Sequence, residues 1–362
     1  MNPLRSAIYR YSIPLLRPLP VRGGSISKRE GLILELFTLD GRHRGYGEIA
    51  PLPGLHNETL PEAFEQLRSR REEALEEISA QLSTGSLPEF HGPLMPSVRT
   101  GLEMAACNLR ASMTGTFPLP GATPAQVPLN ALVYGNPLDL EKQALEHYSM
   151  GYRSFKFKVT ASSAGLVAEQ LRLLDAGLDR DAEFRLDSNQ SFDLDSASRF
   201  LNAVPKHRIS YIEEPLGNPL EIEELSARTG IRIAVDETLW QSPAMRLQLP
   251  DTCLGAFVLK PSRIGGISAT IRLAREAEQR NIPAIISSAF ESGISLGFYA
   301  LLCTTLHSCS HAAGLDTFRQ LGEDIIRSPL EAEHGSIPAV RAWRKSTRPT
   351  MKKLKNIEQW TL

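Results

Sequence analysis

Ser154-Phe155-Lys156-Phe157-Lys158-Val159 reads as a short β-strand that carries two lysines on one face and aromatic side chains on the other. It is one of a series. Short β-rich runs recur at 128–134, 154–159, 183–187, 209–213, 231–236, 256–260, 283–287 and 312–316. Helix-forming segments lie between most of them, at 138–150, 164–176, 194–203, 220–228 and 268–280. Strands alternating with helices at this spacing imply parallel βαβ units. Eight such strands point to a closed barrel rather than an open sheet. The fold class is therefore α/β, a (β/α)7β TIM-like barrel. Gly265-Gly266 stands alone and reads as a βα turn rather than a phosphate loop.

The regions flanking the barrel read differently. Two β-like runs, 7–13 and 32–39, surround a Gly-, Ser- and Lys/Arg-rich stretch at 22–30 that is expected to be a loop. Residues 45–54 read as a second, turn-rich loop, and 61–82 as helix. This is an N-terminal α+β capping domain, and the tail beyond the barrel is expected to pack back on it. The division is 1–97, 98–318 and 319–362.

In such barrels the active site lies at the C-terminal ends of the strands. Here consecutive strand ends carry Lys158, Asp187, Glu213, Asp236 and Lys260. The gaps of 29, 26, 23 and 24 residues each match one βα unit. Five strands thus aim one ionisable side chain each at a common mouth, where strand interiors otherwise favour apolar residues. Three neighbouring carboxylates repel one another unless positive charge sits among them. An all-oxygen donor set suits Mg²⁺. Lys158 and Lys260 come from opposite sides of the barrel, so a substrate between them meets one lysine on each face. Lys156 sits beside Lys158, and two ammonium groups near each other and near a dication are expected to lower each other's pKa and yield a neutral amine. The plan is enolisation: a lysine removes a proton α to a carboxylate while a metal stabilises the enediolate.

Composition sets limits. The chain has 362 residues, 42% of them hydrophobic, and a net charge of −1. That leaves no electrostatic case for a nucleic-acid or membrane partner. The basic C-terminal clusters, Arg341, Arg344 and Lys345, then Lys352 and Lys353, contain only Trp343 as an aromatic and read as a solvated face. The four cysteines, Cys107, Cys253, Cys303 and Cys309, form no CxxC pair and suit a reducing cytoplasm. His307 and His311, four apart, are expected on a partly buried helix face rather than as a metal pair. The apolar region at 284–303 is too interrupted for a membrane span. The expected partner is a small-molecule carboxylate substrate, and oligomeric state is left open.

Several motifs resemble the enolase superfamily, in its muconate-lactonising subgroup. They are Lys156-x-Lys158, Asp187-x-Asn189, Ile212-Glu213-Glu214-Pro215, Asp236-Glu237 and Leu259-Lys260-Pro261. A second set resembles the o-succinylbenzoate synthase family: 27–32, 47–54, 95–98, Ile286-Ser287-Ser288 with Glu291-Ser292, and Gly314-Leu315-Asp316-Thr317. Pairing a lysine base with Mg²⁺ is a known property of the superfamily. The resemblance implies Asp187, Glu213 and Asp236 as ligands of Mg²⁺, with Mn²⁺ as a possible substitute, and Asn189, Glu214 and Glu237 behind them. It implies Lys158 as the base and Lys260 as the charge on the opposite face. Ser287, Gly314 and Lys156 would contact substrate. Cap loops carrying Arg22, Lys28, Arg29, Leu52 and Pro53 would close over it. The implied activity is dehydration of a cyclohexadiene carboxylate to o-succinylbenzoate in menaquinone biosynthesis.

Gly314-Leu315-Asp316-Thr317 replaces the Asp-x-Asp of dipeptide epimerases and argues against that activity. The nearest rival is an N-acylamino acid (N-succinylamino acid) racemase, which would use the same two lysines. A non-catalytic ligand-binding barrel would have no need of them. A histidine-dependent metal hydrolase lacks its ligands at these strand ends. Phe290 is bulky enough to alter the substrate pocket.

Overall fold

The computed structural model describes residues 4–21, 23–306 and 311–361. Arg22, His307 and Cys309 lie outside them. The chain begins with a long antiparallel hairpin, β1 (Leu4–Val21) and β2 (Gly24–Thr38), followed by β3 (Arg44–Ile49). The stretch at 22–30 is mostly strand, contrary to the expected loop. Leu19↔Ile26 and Val21↔Gly24 extend the ladder, and Gly23 and Gly24 turn the chain with φ of +93° and +150°. Polar, Gly-rich composition signals a loop, but pairing with β1 satisfies this backbone. Likewise, the first half of 45–54 belongs to β3.

The helical stretch at 61–82 is two helices, α1 (Leu60–Ser69) and α2 (Arg71–Gln81), broken at Arg70. Thr59 and Glu62 close a capping box on α1. α3 (Pro96–Thr114) lies between cap and barrel. Leu102, Ala105 and Leu109 join the cap core with Leu32, Leu34 and Leu36, while Met104 and Cys107 join the barrel core. Gly45, Gly47 and Gly101 let β3 lie directly on α3. A Cβ on Gly47 would come within 1.9 Å of the Gly101 carbonyl oxygen.

The barrel runs β4 (Gln126–Pro128), β5 (Asn130–Val133), α4 (Leu140–Ser149), β6 (Ser154–Lys158), α5 (Ala164–Gly177), β7 (Glu183–Asp187), α6 (Leu194–Ala203), β8 (Ile209–Glu213), α7 (Ile222–Thr229) and β9 (Ile233–Val235). It continues with α8 (Glu237–Gln241), β10 (Leu254–Leu259), α9 (Pro261–Ile264), α10 (Ile267–Gln279), β11 (Ala284–Ile286) and α11 (Gly293–Cys303). β5 to β11 form one parallel sheet in sequential order. The expected eighth strand at 312–316 is not a strand. Ala313 bridges Leu129 and Gly314 bridges Ser287, and these two contacts close the curled sheet between its first and last strands. Asp316–Gln320 then turns into a 3-10 helix.

Outward-facing Phe155, Phe157 and Phe184 pack edge-to-face beneath the helices. Inside, Tyr211, Ala234, Ala256, Val258 and Ile285 make a separate small core. The apolar run at 284–303 becomes β11 and the wholly buried α11. Among the described residues no helix is long and apolar enough to cross a membrane. Cys107, Cys253 and Cys303 are buried and form no disulfide among the described residues. The tail divides its contacts: β12 (Ser336–Pro338) pairs with β4, α12 (Ala339–Ser346) packs on α11, and β13 (Lys355–Thr361) pairs antiparallel with β1.

Candidate active site

Parallel register sets the site. Lys158 pairs with Asp187, and Asp187 with Glu213, so three ionisable residues stand side by side at one level. Asp236 and Lys260 directly follow β9 and β10. The five strand-end residues and Lys156 form a ladder of alternating charge around the mouth. Lys158 Nζ donates to Asp187 Oδ2 at 2.6 Å. Lys156 Nζ lies 2.7 Å from the same oxygen and donates to both Glu213 oxygens. Lys260 Nζ lies 3.9 Å from Glu213 Oε1 and donates to Asp236 Oδ2.

The carboxylates bear directly on the charge of the lysines between them. Burial pulls Lys156 down, but Asp187 and Glu213 outweigh it and hold its pKa well above the usual lysine value. Burial likewise lowers Lys260, and Asp236 and Glu213 more than offset it. For these two buried lysines the facing carboxylates outweigh both burial and the repulsion between the ammoniums. Burial raises Asp187, yet Lys156, Lys158 and Lys260 together hold it well below the carboxylate range. Glu213 is pushed up by burial and by Asp187. Exposure separates the lysines: the side chain of Lys158 is 40% exposed, those of Lys156 and Lys260 11%.

Asp187 Oδ1, Asp236 Oδ1 and Glu237 Oε2 are buried without a hydrogen-bond partner. Among the described residues the acids do not close up by themselves into a three-ligand group. The ammoniums of Lys156 and Lys260 stand between them. Orphaned carboxylate oxygens on either side of Glu213 make an oxygen-only donor set, which fits a hard dication.

The residues behind this ladder hold it rigid. Glu214 Oε1 accepts from the Asp236 and Thr238 backbone N–H groups at 2.8 and 2.7 Å, fixing the turn that carries Asp236. Burial pushes Glu214 up to about 7. Asn189 accepts from Lys158 at 2.6 Å and donates to Glu237 at 2.9 Å. Burial, then Asp236, pushes Glu237 up to about 8. Asn189, Gln190 and Glu214 all have left-handed backbone, with φ of +42°, +61° and +41°. Such strain persists where surrounding bonds over-determine it.

Ser287 and Gly314 meet across the closing bridge. A Cβ on Gly314 would lie 2.5 Å from Ser287 Oγ. Asp316 is not in the mouth: it is buried beneath Tyr152, whose hydroxyl donates to it at 2.6 Å.

The cap residues are only partly brought together. Arg29 is buried. Its guanidinium donates to Ala50 O at 2.7 Å, Phe290 O at 3.0 Å and Pro51 O at 3.4 Å, tying cap to barrel. Leu52 packs with Leu19 and Ala289, and Phe290, with φ of +60°, lies against this cluster. Pro53 is exposed. Lys28 is exposed and pairs with Glu30 on its own strand. Arg22 is outside the described residues.

Sequence reasoning missed the polar clasp between cap and barrel. Buried Glu48 accepts from Ser292 N and Oγ, Ser295 N and Tyr11. His56 accepts from Leu52 N at 2.9 Å through Nδ1, so its Nε2–H donates to Ser262 O at 3.0 Å. Burial pushes it down to about 4. Glu291 accepts from Ser262 Oγ at 2.6 Å. An acidic residue inside the apolar run of β3 was the available signal for Glu48.

Comparison with known proteins places the chain in a family. Residues 139–342 match the family model "Enolase C-terminal domain-like" and residues 4–109 match "MenC, N-terminal domain". An o-succinylbenzoate synthase of Pasteurella multocida is 35% identical over 331 residues, 88% of this chain and 91% of that protein. The o-succinylbenzoate synthase of Yersinia enterocolitica is 31% identical over 353 residues, 96% of each. An N-succinyl Arg/Lys racemase structure from Bacillus cereus superposes with a TM-score of 0.74 over all of both chains. At 17% identity it shares the fold and carries nothing about the reaction. With both family models matched in order, and relatives of this identity covering nearly its whole length, the chain belongs to the o-succinylbenzoate synthase family of the enolase superfamily.

Proposed function

We infer that this protein is an o-succinylbenzoate synthase, a lyase of menaquinone biosynthesis. It dehydrates 2-succinyl-6-hydroxy-2,4-cyclohexadiene-1-carboxylate (SHCHC) to o-succinylbenzoate. The observation that carries the reading is the alternating ladder of Lys158, Asp187, Lys156, Glu213, Lys260 and Asp236 beneath a cap matching the synthase family's own N-terminal domain.

Asp187, Glu213 and Asp236 would hold Mg²⁺, or Mn²⁺ in its place, with Glu214, Asn189 and Glu237 orienting them. When bound, the ion supplies Lewis-acid stabilisation of charge developing on the substrate carboxylate. Lys158, the most exposed of the three lysines, acts as the neutral amine and takes the α-proton on Nζ. The C–H electron pair moves into the carboxylate and forms the enediolate. The Lys260 ammonium balances that charge from the opposite face. The C–O bond to the β-hydroxyl then breaks. Lys158 returns its proton to the leaving oxygen, water departs, and the ring becomes aromatic. Ser287, Gly314 and Lys156 would contact the substrate, and the 50–55 turn, held by Arg29, would exclude water.

The cap is assigned to 1–97, the barrel to 98–318 and the returning segment to 319–362. The first cut falls at the start of α3, which packs on both cap strand β3 and barrel helix α9. We place the protein in the cytoplasm, with a small-molecule carboxylate as its partner.

The test is an ultraviolet assay with Mg²⁺ and SHCHC, in which formation of the aromatic product changes absorbance. No change with the wild-type protein would sink the reading. Deuterium uptake into N-succinyl amino acids in D₂O, without dehydration of SHCHC, would point instead to a racemase.

A further inference from the structure

A second concave site lies on the outer side of α12. Ala339, Ala342 and Ser346 are the buried face of this helix, which packs on α11. Arg341, Arg344 and Lys345 stand on the other side and, with Arg348 just beyond the helix and Arg327, line a cavity of about 600 Å³. Pro124, Pro338 and Val340 form its apolar wall. None of the strand-end lysines or carboxylates lines it.

The cavity holds five cations and no acid among its lining residues. Two of the five are neutralised at the rim: Arg341 by Glu331 and Glu333, and Lys345 by Glu331. Among the described residues, Arg327, Arg344 and Arg348 have no carboxylate within 4 Å and no side-chain hydrogen bond. Arg327 is nonetheless held beside Arg348, because its backbone N–H donates to the Arg348 carbonyl at 3.0 Å. The fold thus gathers three unneutralised guanidiniums from two segments into one concavity. A cleft of one charge sign concentrates ions of the other.

We propose that this cavity binds a small organic diphosphate. A guanidinium presents a planar fork of donors suited to two oxygens of one anion. Three forks exceed what a single carboxylate can satisfy, and two adjoining phosphoryl groups supply oxygens for all of them. The apolar wall faces the organic part. The volume falls within the ~300–1,000 Å³ range of small-ligand sites. The notion of a merely solvated basic face at 341–345 omits Arg327, which only the fold brings there.

The experiment is calorimetric titration of the Mg²⁺-loaded enzyme, at about 100 mM salt, with orthophosphate, pyrophosphate and ADP in turn. Each is run with and without saturating o-succinylbenzoate. Pyrophosphate and ADP should bind one to one below millimolar concentration, ADP more tightly and orthophosphate more weakly. Product in the mouth should not displace them. The double variant Arg344→Ala/Arg348→Ala should bind both about tenfold more weakly per guanidinium removed and retain wild-type SHCHC dehydration. Arg327→Gln, in a different segment, should weaken binding without touching α12. Absence of binding, displacement by o-succinylbenzoate, equal affinity in these variants, or orthophosphate binding as tightly as ADP would each overturn the proposal.

Discussion

Replacing Arg29 by methionine tests how the cap is fastened. The substitution keeps an apolar stem of similar reach and removes the guanidinium alone. In the wild type the guanidinium makes two well-formed bonds, to Ala50 O at 2.7 Å and Phe290 O at 3.0 Å. The third, to Pro51 O at 3.4 Å, is long and adds little. Arg29 is 1% exposed, so water does not replace the lost donors. Each abandoned buried carbonyl costs about 1–3 kcal/mol, and two give about 2–6 kcal/mol. That belongs to the upper tail of single substitutions. The same guanidinium joins the 50–55 turn of the cap to the 287–291 loop of the barrel. Its removal should therefore loosen closure while leaving Lys158 and the carboxylates in place. KM for SHCHC should rise about tenfold for each 1.4 kcal/mol lost from the closed arrangement, with kcat falling less. Urea unfolding followed by circular dichroism measures the first effect, and the ultraviolet assay the second. A loss below about 1 kcal/mol together with an unchanged KM would refute the reasoning, since it would mean these carbonyls find other partners.

Lys158→Ala and Lys260→Ala should each lower kcat by at least about 10²–10⁴-fold with the fold retained in circular dichroism and Mg²⁺ binding retained in calorimetry. Near-wild-type turnover in either would overturn its role. Gly47→Ala should destabilise by about 3 kcal/mol or more, because the new Cβ would meet backbone atoms of Gly101 and Ala105 that cannot move aside; an unchanged urea midpoint would contradict the close packing of β3 on α3. Asp316→Asn should flatten one part of the pH profile. Burial pushes Asp316 up to about 7 from 3.8, so the folded form favours the protonated acid. The wild type should therefore lose stability relative to the variant as pH rises from about 4 to about 7, with the difference constant above. A variant that runs parallel to the wild type across that window would show that Asp316 does not titrate this way.

The sequence alone determined the barrel and the ring of charge at its mouth. One ionisable residue per βα unit, from Lys158 to Lys260, is legible because strand alternation and barrel closure convert spacing into direction. Helix and strand identities were legible for the same reason, being written in local periodicity. What lay outside local pattern had to come from the fold. The segment at 312–316 has strand composition, yet only Ala313 and Gly314 pair, since closing the sheet requires no more. The stretch at 22–30 has loop composition, yet β1 is there to pair with it. Arg29 reads as a surface arginine until three carbonyls from two distant segments surround it. The sequence shows two lysines side by side, but not which carboxylates the register places within about 3 Å of them. Electrostatics and desolvation act through space between residues far apart in the chain, so tertiary structure alone decided which carboxylates surround Lys156 and Lys260, the clasp at Glu48 and His56, and the gathering of Arg327 with Arg348.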